Sequence, residues 1–132
     1  MSTMARAKSL QVVIVDDSVV IRQRLVSLLE ETHGVDVAGV ATDGFEGLET
    51  VQRLRPDVVI LDIRMPGMGG IEFLEALQGD NELSPTVIVL TNFPYPAYRK
   101  RCQELGAEHF FDKSTEFAAA VEVLKELSTN GR

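Results

Sequence analysis

Apolar runs alternate with amphipathic stretches along almost the whole chain. The two aliphatic runs Leu10 to Val15 and Val58 to Leu61 are typical of strands that are buried on both faces. Three further β-rich runs follow the same rhythm, and between the runs apolar residues recur at a spacing of three or four, which predicts helices. The predicted strands are Leu10 to Val15, Val35 to Ala41, Val58 to Leu61, Thr86 to Leu90 and His109 to Phe111.

Local signals place the ends of the helices. The first amphipathic stretch stops at Gly34, and the second opens with Asp43 three residues before Glu46, which resembles a capping box, and closes at Pro56. The fourth begins at Pro96 and ends near Gly106. The short third helix is predicted over Ile71 to Leu77, and the fifth contains Phe117, Val121 and Leu124.

Five strands that alternate with five helices predict an α/β fold with a parallel sheet covered on both faces. The five-stranded, doubly wound, flavodoxin-like version has the strand order 2-1-3-4-5 and binds ligands beyond the carboxyl ends of strands 1 and 3. We expect residues 1–132 to form one domain with a core from about 10 to 127.

Composition indicates which partners and which cell compartment to expect. The formal charge of −7 argues against direct binding to nucleic acid or to an anionic membrane by this chain. The lone Cys102 has no disulfide partner in the chain, and no long uncharged apolar run predicts a membrane span. A cytoplasmic location is therefore expected. At helical spacing from Tyr98, Cys102 is read as a small buried hydrophobic residue in preference to a redox sensor.

Carboxylates follow the two strands that border the predicted crevice. Asp16 and Asp17 come after strand 1, and Asp62 comes after strand 3, so the three should converge. Because like charges at that distance repel one another, a cation is required there. An all-oxygen ligand set favours Mg²⁺, for which Mn²⁺ can substitute, and a carboxylate beside Mg²⁺ can act as a nucleophile toward a phosphoryl group.

Two more strand ends face the same crevice. Thr91 follows strand 4 and Lys113 follows strand 5, so a hydroxyl and an ammonium group can contact a phosphoryl oxygen. With the segments "VVIVDDS", "PDVVILDIRMPGMGG", "VIVLT" and "GAEHFFDKS", this set resembles the receiver domain of a two-component response regulator. The resemblance covers roughly residues 11 to 127.

The resemblance implies a role for each matching residue. Asp62 would be the phosphoacceptor for a histidine kinase or phosphotransfer protein, and Asp17 and Asp62 would ligate Mg²⁺ with the main-chain carbonyl of Arg64, Asp16 acting mainly through water. Thr91 and Lys113 would hold the phosphoryl oxygens, and Phe110 would be the switch aromatic. The expected output is a changed surface on helix 4, strand 5 and helix 5 that controls a partner protein or an output domain, with dimerisation on phosphorylation as a further expectation.

Simpler interpretations exist for single residues. Asp16 and Asp17 could cap the first helix, Thr91 could be a turn residue, Lys113 a solvated loop residue and Phe110 a plain core residue. The basic run Arg99 to Arg101 is either a solvated face or a docking site for a partner. Ser114 departs from the family, which usually has proline after the lysine, often with a cis bond.

Three other functions compete with the switch. A Mg²⁺-dependent aspartyl phosphatase needs an acidic residue two positions after its nucleophile, where this chain has Arg64. A flavin module would place its phosphate against Asp16 and Asp17, which would repel it. A receiver-like scaffold that binds partners without phosphorylation remains open. We expect no enzymatic turnover beyond self-phosphorylation and autodephosphorylation, and either a stand-alone receiver or one excised from a longer regulator.

Overall fold

A parallel sheet forms the centre of the computed structural model, which describes residues 9–130. Strands and helices alternate along these residues. They are β1 (Leu10–Val15), α1 (Val19–Glu30), β2 (Val35–Ala41), α2 (Gly44–Leu54), β3 (Val58–Leu61), α3 (Gly70–Gln78), β4 (Thr86–Thr91), α4 (Pro96–Glu104), β5 (His109–Asp112) and α5 (Phe117–Asn130).

The strand order is β2-β1-β3-β4-β5, as the sequence predicts, and all neighbouring pairs are parallel. The register aligns Val15 with Leu61 and Leu61 with Val89. The last residues of β1 and β3 therefore lie side by side, β4 runs two residues further to Thr91, and the loops that follow the three strands leave the sheet at one edge. Among the described residues no helix combines the length and apolar character needed to cross a membrane.

Alternate residues of the strands pack into two separate cores. Val12 and Ile14 point toward α1 and α5, where Leu25 and Leu124 are completely or almost completely buried. Val13 and Val15 point to the opposite face, which α2, α3 and α4 cover with residues such as Phe73. Burial on both faces explains why β3 is aliphatic at every position and β1 at every position except the partly buried Gln11.

Helix ends follow the predicted signals with small shifts. In α2, Asp43 is the N-cap and accepts the Glu46 N–H at 2.8 Å, while Glu46 accepts the Thr42 N–H at 2.7 Å, so the start resembles a capping box whose return bond goes to the residue before the cap. Pro96 is in the first turn of α4, also as predicted. Strands 4 and 5 each extend one residue beyond the prediction, to Thr91 and Asp112.

Candidate phosphoryl and metal site

The ends of β1 and β3 fix the main chain of the two buried aspartates. The Asp62 N–H donates to the Val15 carbonyl at 2.9 Å, and the Asp16 N–H donates to the Ala41 carbonyl at 3.0 Å. Both bonds continue the ladder by one residue past the strand ends. Asp16 and Asp62 are consequently held side by side by the rigid part of the sheet, which is where the sequence places them.

Three carboxylates converge at this edge. One oxygen from each of Asp16, Asp17 and Asp62 lies within 4.8 Å of the other two. Asp16 is 3% exposed and Asp62 is 5% exposed, whereas Asp17 is exposed. The site therefore has a buried floor and one solvent-facing carboxylate, so that an ion or a phosphoryl group can enter from the Asp17 side.

The side chain of Lys113 lies between the two buried carboxylates. Its Nζ is 2.8 Å from Asp16 Oδ2 and 3.1 Å from Asp62 Oδ2. The main-chain N–H of Lys113 donates to the Thr91 carbonyl at 2.8 Å. Lys113 is 7% exposed. One buried ammonium group is thus shared by two buried carboxylates, and β4 and β5 are tied together at the same place.

The burial of these charges changes how they titrate. Burial is the main reason why the pKa of Asp62 is raised above its usual range, and the nearby Asp16 adds to the effect although Lys113 opposes it. Burial alone would lower the pKa of Lys113, but hydrogen bonds and attraction from Asp16 and Asp62 outweigh it and raise the pKa. Lys113 is therefore charged at neutral pH, while the charge on Asp62 is costly.

The loop between β1 and α1 is tightly held. Ser18 is the N-cap of α1 and accepts the Ile21 N–H at 3.2 Å, so the cap is provided by Ser18 and not by Asp16 or Asp17. Asp16 Oδ1 accepts the Ser18 N–H at 2.8 Å, and the guanidinium group of Arg22 donates to the Asp16 carbonyl at 2.8 Å. These bonds fix the direction in which the two aspartates leave the strand.

Thr91 and Phe110 lie on β4 and β5. Thr91 is fully buried, and its Oγ1 accepts the Phe93 N–H at 3.0 Å. Phe110 is half-buried, with its ring packed against the core that α2, α3 and α4 cover. The Arg99 guanidinium group lies 4.6 Å from the centre of that ring.

The side chain of Arg64 lies over the ring of Phe93. It is exposed, and its guanidinium carbon lies 4.3 Å from the centre of the Phe93 ring. This contact links the β3–α3 loop to the β4–α4 loop. No acidic side chain occupies the position two residues after Asp62, where an aspartyl phosphatase would need one.

The residue after Lys113 does not disturb the lysine. Among residues 9–130 there are no cis peptide bonds, so the bond between Lys113 and Ser114 is trans. Asp112 Oδ1 accepts both the N–H and the hydroxyl of Ser114, at 2.8 and 2.7 Å. A local side-chain turn therefore shapes the loop in which the family usually has proline, and Lys113 still reaches Asp16 and Asp62.

The basic run on α4 is largely engaged within the molecule. Arg101 forms ion pairs with Glu75 of α3 at 2.9 Å and with Glu104 at 3.4 Å, and Arg99 contacts Phe110. Cys102 on the same helix is completely buried, and burial raises the pKa of its thiol to about 11. This agrees with a structural cysteine and not with a redox sensor.

The donor set fits a hard divalent cation. All the ligand atoms that Asp16, Asp17 and Asp62 offer are carboxylate oxygens, and no sulfur or imidazole nitrogen takes part in the cluster. Two contacts near this cluster were not predicted. The first is made by Arg22, six residues after Asp16 and inside α1, where the sequence does not show which group an arginine will contact. The second is made by Gly70, which lies against the main chain of Asp62 and Ile63.

Comparisons with known proteins match most of the chain. The family model described as the response regulator receiver domain matches residues 12–125. A protein-glutamate methylesterase/protein-glutamine glutaminase from Anaeromyxobacter dehalogenans is 44% identical over 111 residues, which are 83% of this chain and 31% of that protein. A protein of the same description from Geobacter sulfurreducens is 39% identical over 110 residues, 83% of this chain and 29% of that protein. The chain thus spans less than a third of these relatives.

Solved structures show the same fold. The signal receiver domain of NarL from Mycobacterium tuberculosis superimposes with a TM-score of 0.84 at 30% identity, over 94% of this chain and 99% of that one. The response regulator domain of CheB from Thermotoga maritima gives a TM-score of 0.82 at 25% identity, over 92% and 98% of the two chains.

Proposed function

Because this chain belongs to the response regulator receiver domain family, we propose that it is a single receiver that acts as a phosphoacceptor switch with Asp62 as the acceptor. The observation that carries the proposal is the sharing of one buried ammonium group, on Lys113, by Asp16 and Asp62 beside the exposed Asp17. The arrangement combines a nucleophilic carboxylate, a cation and an open side in one crevice.

The proposed step is a phosphoryl transfer. A carboxylate oxygen of Asp62 attacks the phosphorus of a phosphohistidine, a new P–O bond forms, and the P–N bond breaks with its electron pair returning to the imidazole nitrogen. Lys113 is close enough to Asp62 to pair with an oxygen of the arriving group. Thr91 can offer its hydroxyl hydrogen, since its oxygen at present accepts the Phe93 N–H.

We propose that the acidic cluster binds Mg²⁺. Asp16, Asp17 and Asp62, with the main-chain carbonyl of Arg64, would hold the ion, and Mn²⁺ could replace it. When bound, Mg²⁺ neutralises charge on the phosphoryl oxygens. The role of the chain is to keep the carboxylates together, and the ladder bonds at Asp16 and Asp62 do so before any ion binds.

The proposed partners are a histidine kinase or phosphotransfer protein as donor, and a protein or attached domain as target. The proposed output surface consists of α4, β5 and α5, with Phe110 as the aromatic residue that responds. The support lies in the connection from the site to β5, because Lys113 follows that strand directly and is bonded to Thr91 at the end of β4. The similarity to methylesterases covers less than a third of their length, so their esterase chemistry is not part of the proposal.

The test is the mass of the intact protein after incubation with Mg²⁺ and acetyl phosphate. We expect one phosphoryl adduct on the wild type that hydroxylamine removes, since an acyl phosphate is sensitive to that nucleophile, and no adduct on Asp62→Asn. Asp36→Asn, which changes an exposed aspartate of β2, is the matched control and should be phosphorylated normally. An unmodified wild type would favour the scaffold function, and release of many equivalents of phosphate from a phosphoester would favour the phosphatase.

A further inference from the structure

The guanidinium group of Arg99 makes two contacts with one residue of the neighbouring strand. It lies 4.6 Å from the centre of the Phe110 ring, and its Nη1 donates to the Phe110 main-chain carbonyl at 3.3 Å. Arg99 is on α4 and Phe110 is on β5. The same planar cation therefore contacts both the ring and the backbone of Phe110, a combination that suits the flat, multi-donor guanidinium group better than the compact ammonium group of lysine.

The charged neighbours of Arg99 do not compete with Phe110 for its guanidinium group. Arg101 on the same helix is neutralised by Glu75 and Glu104, but within residues 9–130 Arg99 forms no ion pair with a carboxylate. β5 is an edge strand, so the carbonyls on its outer side lack a partner from the sheet, and Arg99 takes the carbonyl of Phe110. The interaction of Arg99 is thus directed at Phe110.

Phe110 also lies on the strand that leads to the phosphorylation site. Lys113 follows it by three residues and pairs with Asp16 and Asp62. A phosphoryl group on Asp62 would draw Lys113 toward new oxygen atoms and away from Asp16, which changes the pull on the end of β5. The Phe110 ring is half-buried at the border of a core, so part of its apolar surface is still exposed to solvent and could be buried by a movement toward that core.

We propose that Arg99 is a positioning residue that holds Phe110 in its half-exposed place and thereby opposes the rearrangement of α4 and β5 that follows phosphorylation. This inference rests on the proposed function for the rearrangement. It adds a residue of this chain that sets how readily the switch responds. A cation over an aromatic ring at an exposed site changes such an equilibrium by about two- to fivefold.

The experiment titrates the protein with beryllofluoride in the presence of Mg²⁺, a mimic of the phosphoryl group on Asp62. NMR signals of the Phe110 ring and of the amide of Thr91 are followed in the wild type, Arg99→Ala, Arg99→Lys and Lys100→Ala. We expect the midpoint to fall by about two- to fivefold in Arg99→Ala and by less in Arg99→Lys, which keeps the charge and loses the planar fork. Lys100→Ala, at the neighbouring exposed position, is the matched control and should behave as the wild type.

A second readout separates positioning from a general loss of structure. In the free Arg99→Ala protein, the Phe110 ring signals should already be displaced toward their position with beryllofluoride, while the melting temperature stays close to that of Lys100→Ala. Equal midpoints and unchanged ring signals in all four proteins would overturn the inference. If the wild type does not respond to beryllofluoride at all, the proposed function fails and the inference about the rearrangement fails with it. Displaced ring signals in free Arg99→Ala would then still show that Arg99 positions the ring.

Discussion

At the scale of single residues, the charge of the site is unbalanced. Two buried carboxylates, Asp16 and Asp62, share the one ammonium group of Lys113, and the exposed Asp17 adds a third negative charge nearby. Buried charges without full compensation raise the free energy of the folded state. The metal-free protein is therefore expected to be less stable than the same fold with the buried charge of Asp62 removed.

The raised pKa of Asp62 makes this cost depend on pH. A carboxyl whose folded-state pKa lies above its unfolded value of 3.8 stabilises the fold fully below pH 3.8, and that stability is lost as the pH rises through the folded-state value. In EDTA we expect Asp62→Asn to be more stable than the wild type at pH 7, with the difference shrinking toward pH 4. Urea denaturation at both pH values measures the difference in the free energy of unfolding.

Asp36→Asn is the matched control for that experiment, because it removes an exposed carboxylate from β2. Its difference from the wild type should be small at both pH values. If Asp62→Asn were less stable than the wild type at pH 7, the attraction between Asp62 and Lys113 would outweigh the cost of burying Asp62, which would contradict the argument.

The positions of the three aspartates could be predicted from the sequence, because each follows an aliphatic run and parallel strands end at one edge. The contacts of Arg22, Arg64 and Arg99 could not. A long side chain can reach a carbonyl or a ring in many directions, and neither spacing nor residue type decides among them. For Lys113 the position was predictable, but its sharing between Asp16 and Asp62 depends on distances that only the structure gives.

At the scale of elements, strands and helices were more predictable than their ends. Burial on both faces makes the strands recognisable. Helix ends are less certain: Gly34 was the predicted stop for α1, but the helix ends at Glu30 with Glu31 as its C-cap. Gly34 has a φ of +84° and serves the turn into β2. The register shift between Val12 and Val13 in the pairing of β1 with β2 was not predicted either, although Gly39, which pairs directly after the shift, is of the residue type that often marks a bulge inside a strand.

The start of α3 is pressed against the residue that we propose as phosphoacceptor. A Cβ on Gly70 would overlap the Asp62 carbonyl and come within 2.9 Å of the Ile63 Cα, and the Gly70 N–H donates to the Ile63 carbonyl at 2.7 Å. We expect Gly70→Ala to lower the free energy of unfolding by about 1–3 kcal/mol, because backbone atoms must move to accept the methyl group. The same movement displaces Asp62, so the yield of phosphoryl adduct should also fall.

Gly79→Ala is the control for this prediction. Gly79 follows α3, has a negative φ of −76°, and its added Cβ would meet nothing closer than the Ala76 carbonyl at 3.5 Å. The free energy of unfolding, measured by chemical denaturation, and the yield of phosphoryl adduct, measured by intact mass, should therefore be near the wild-type values for Gly79→Ala. A Gly70→Ala protein with unchanged stability and unchanged phosphorylation would show that α3 can withdraw from Asp62 without consequence.

At the scale of the whole molecule, the formal charge of −7 and the acidic crevice both add electrostatic repulsion to the folded state. Any added salt screens the general repulsion, but only an ion bound at the crevice compensates Asp16, Asp17 and Asp62 individually. A ligand that binds the folded state alone stabilises it by RT ln(1 + [L]/Kd), about 2.7 kcal/mol at a concentration of 100 times Kd. Specific binding of Mg²⁺ can therefore be separated from screening by comparison with KCl at equal ionic strength.

Asp17 allows that comparison without disturbing the core, because its side chain is exposed and the buried pairs of Lys113 do not involve it. We expect Asp17→Asn to have the stability of the wild type in EDTA to within about 0.5 kcal/mol, as is usual for surface substitutions. Saturating Mg²⁺ should raise the melting temperature of the wild type well beyond the effect of KCl and should raise that of Asp17→Asn little or not at all. Glu49→Gln, an exposed acidic position on α2, should keep the full response to Mg²⁺. Equal responses of Asp17→Asn and Glu49→Gln would place the ion away from the crevice, because loss of a ligand must weaken binding whereas loss of a distant surface charge need not.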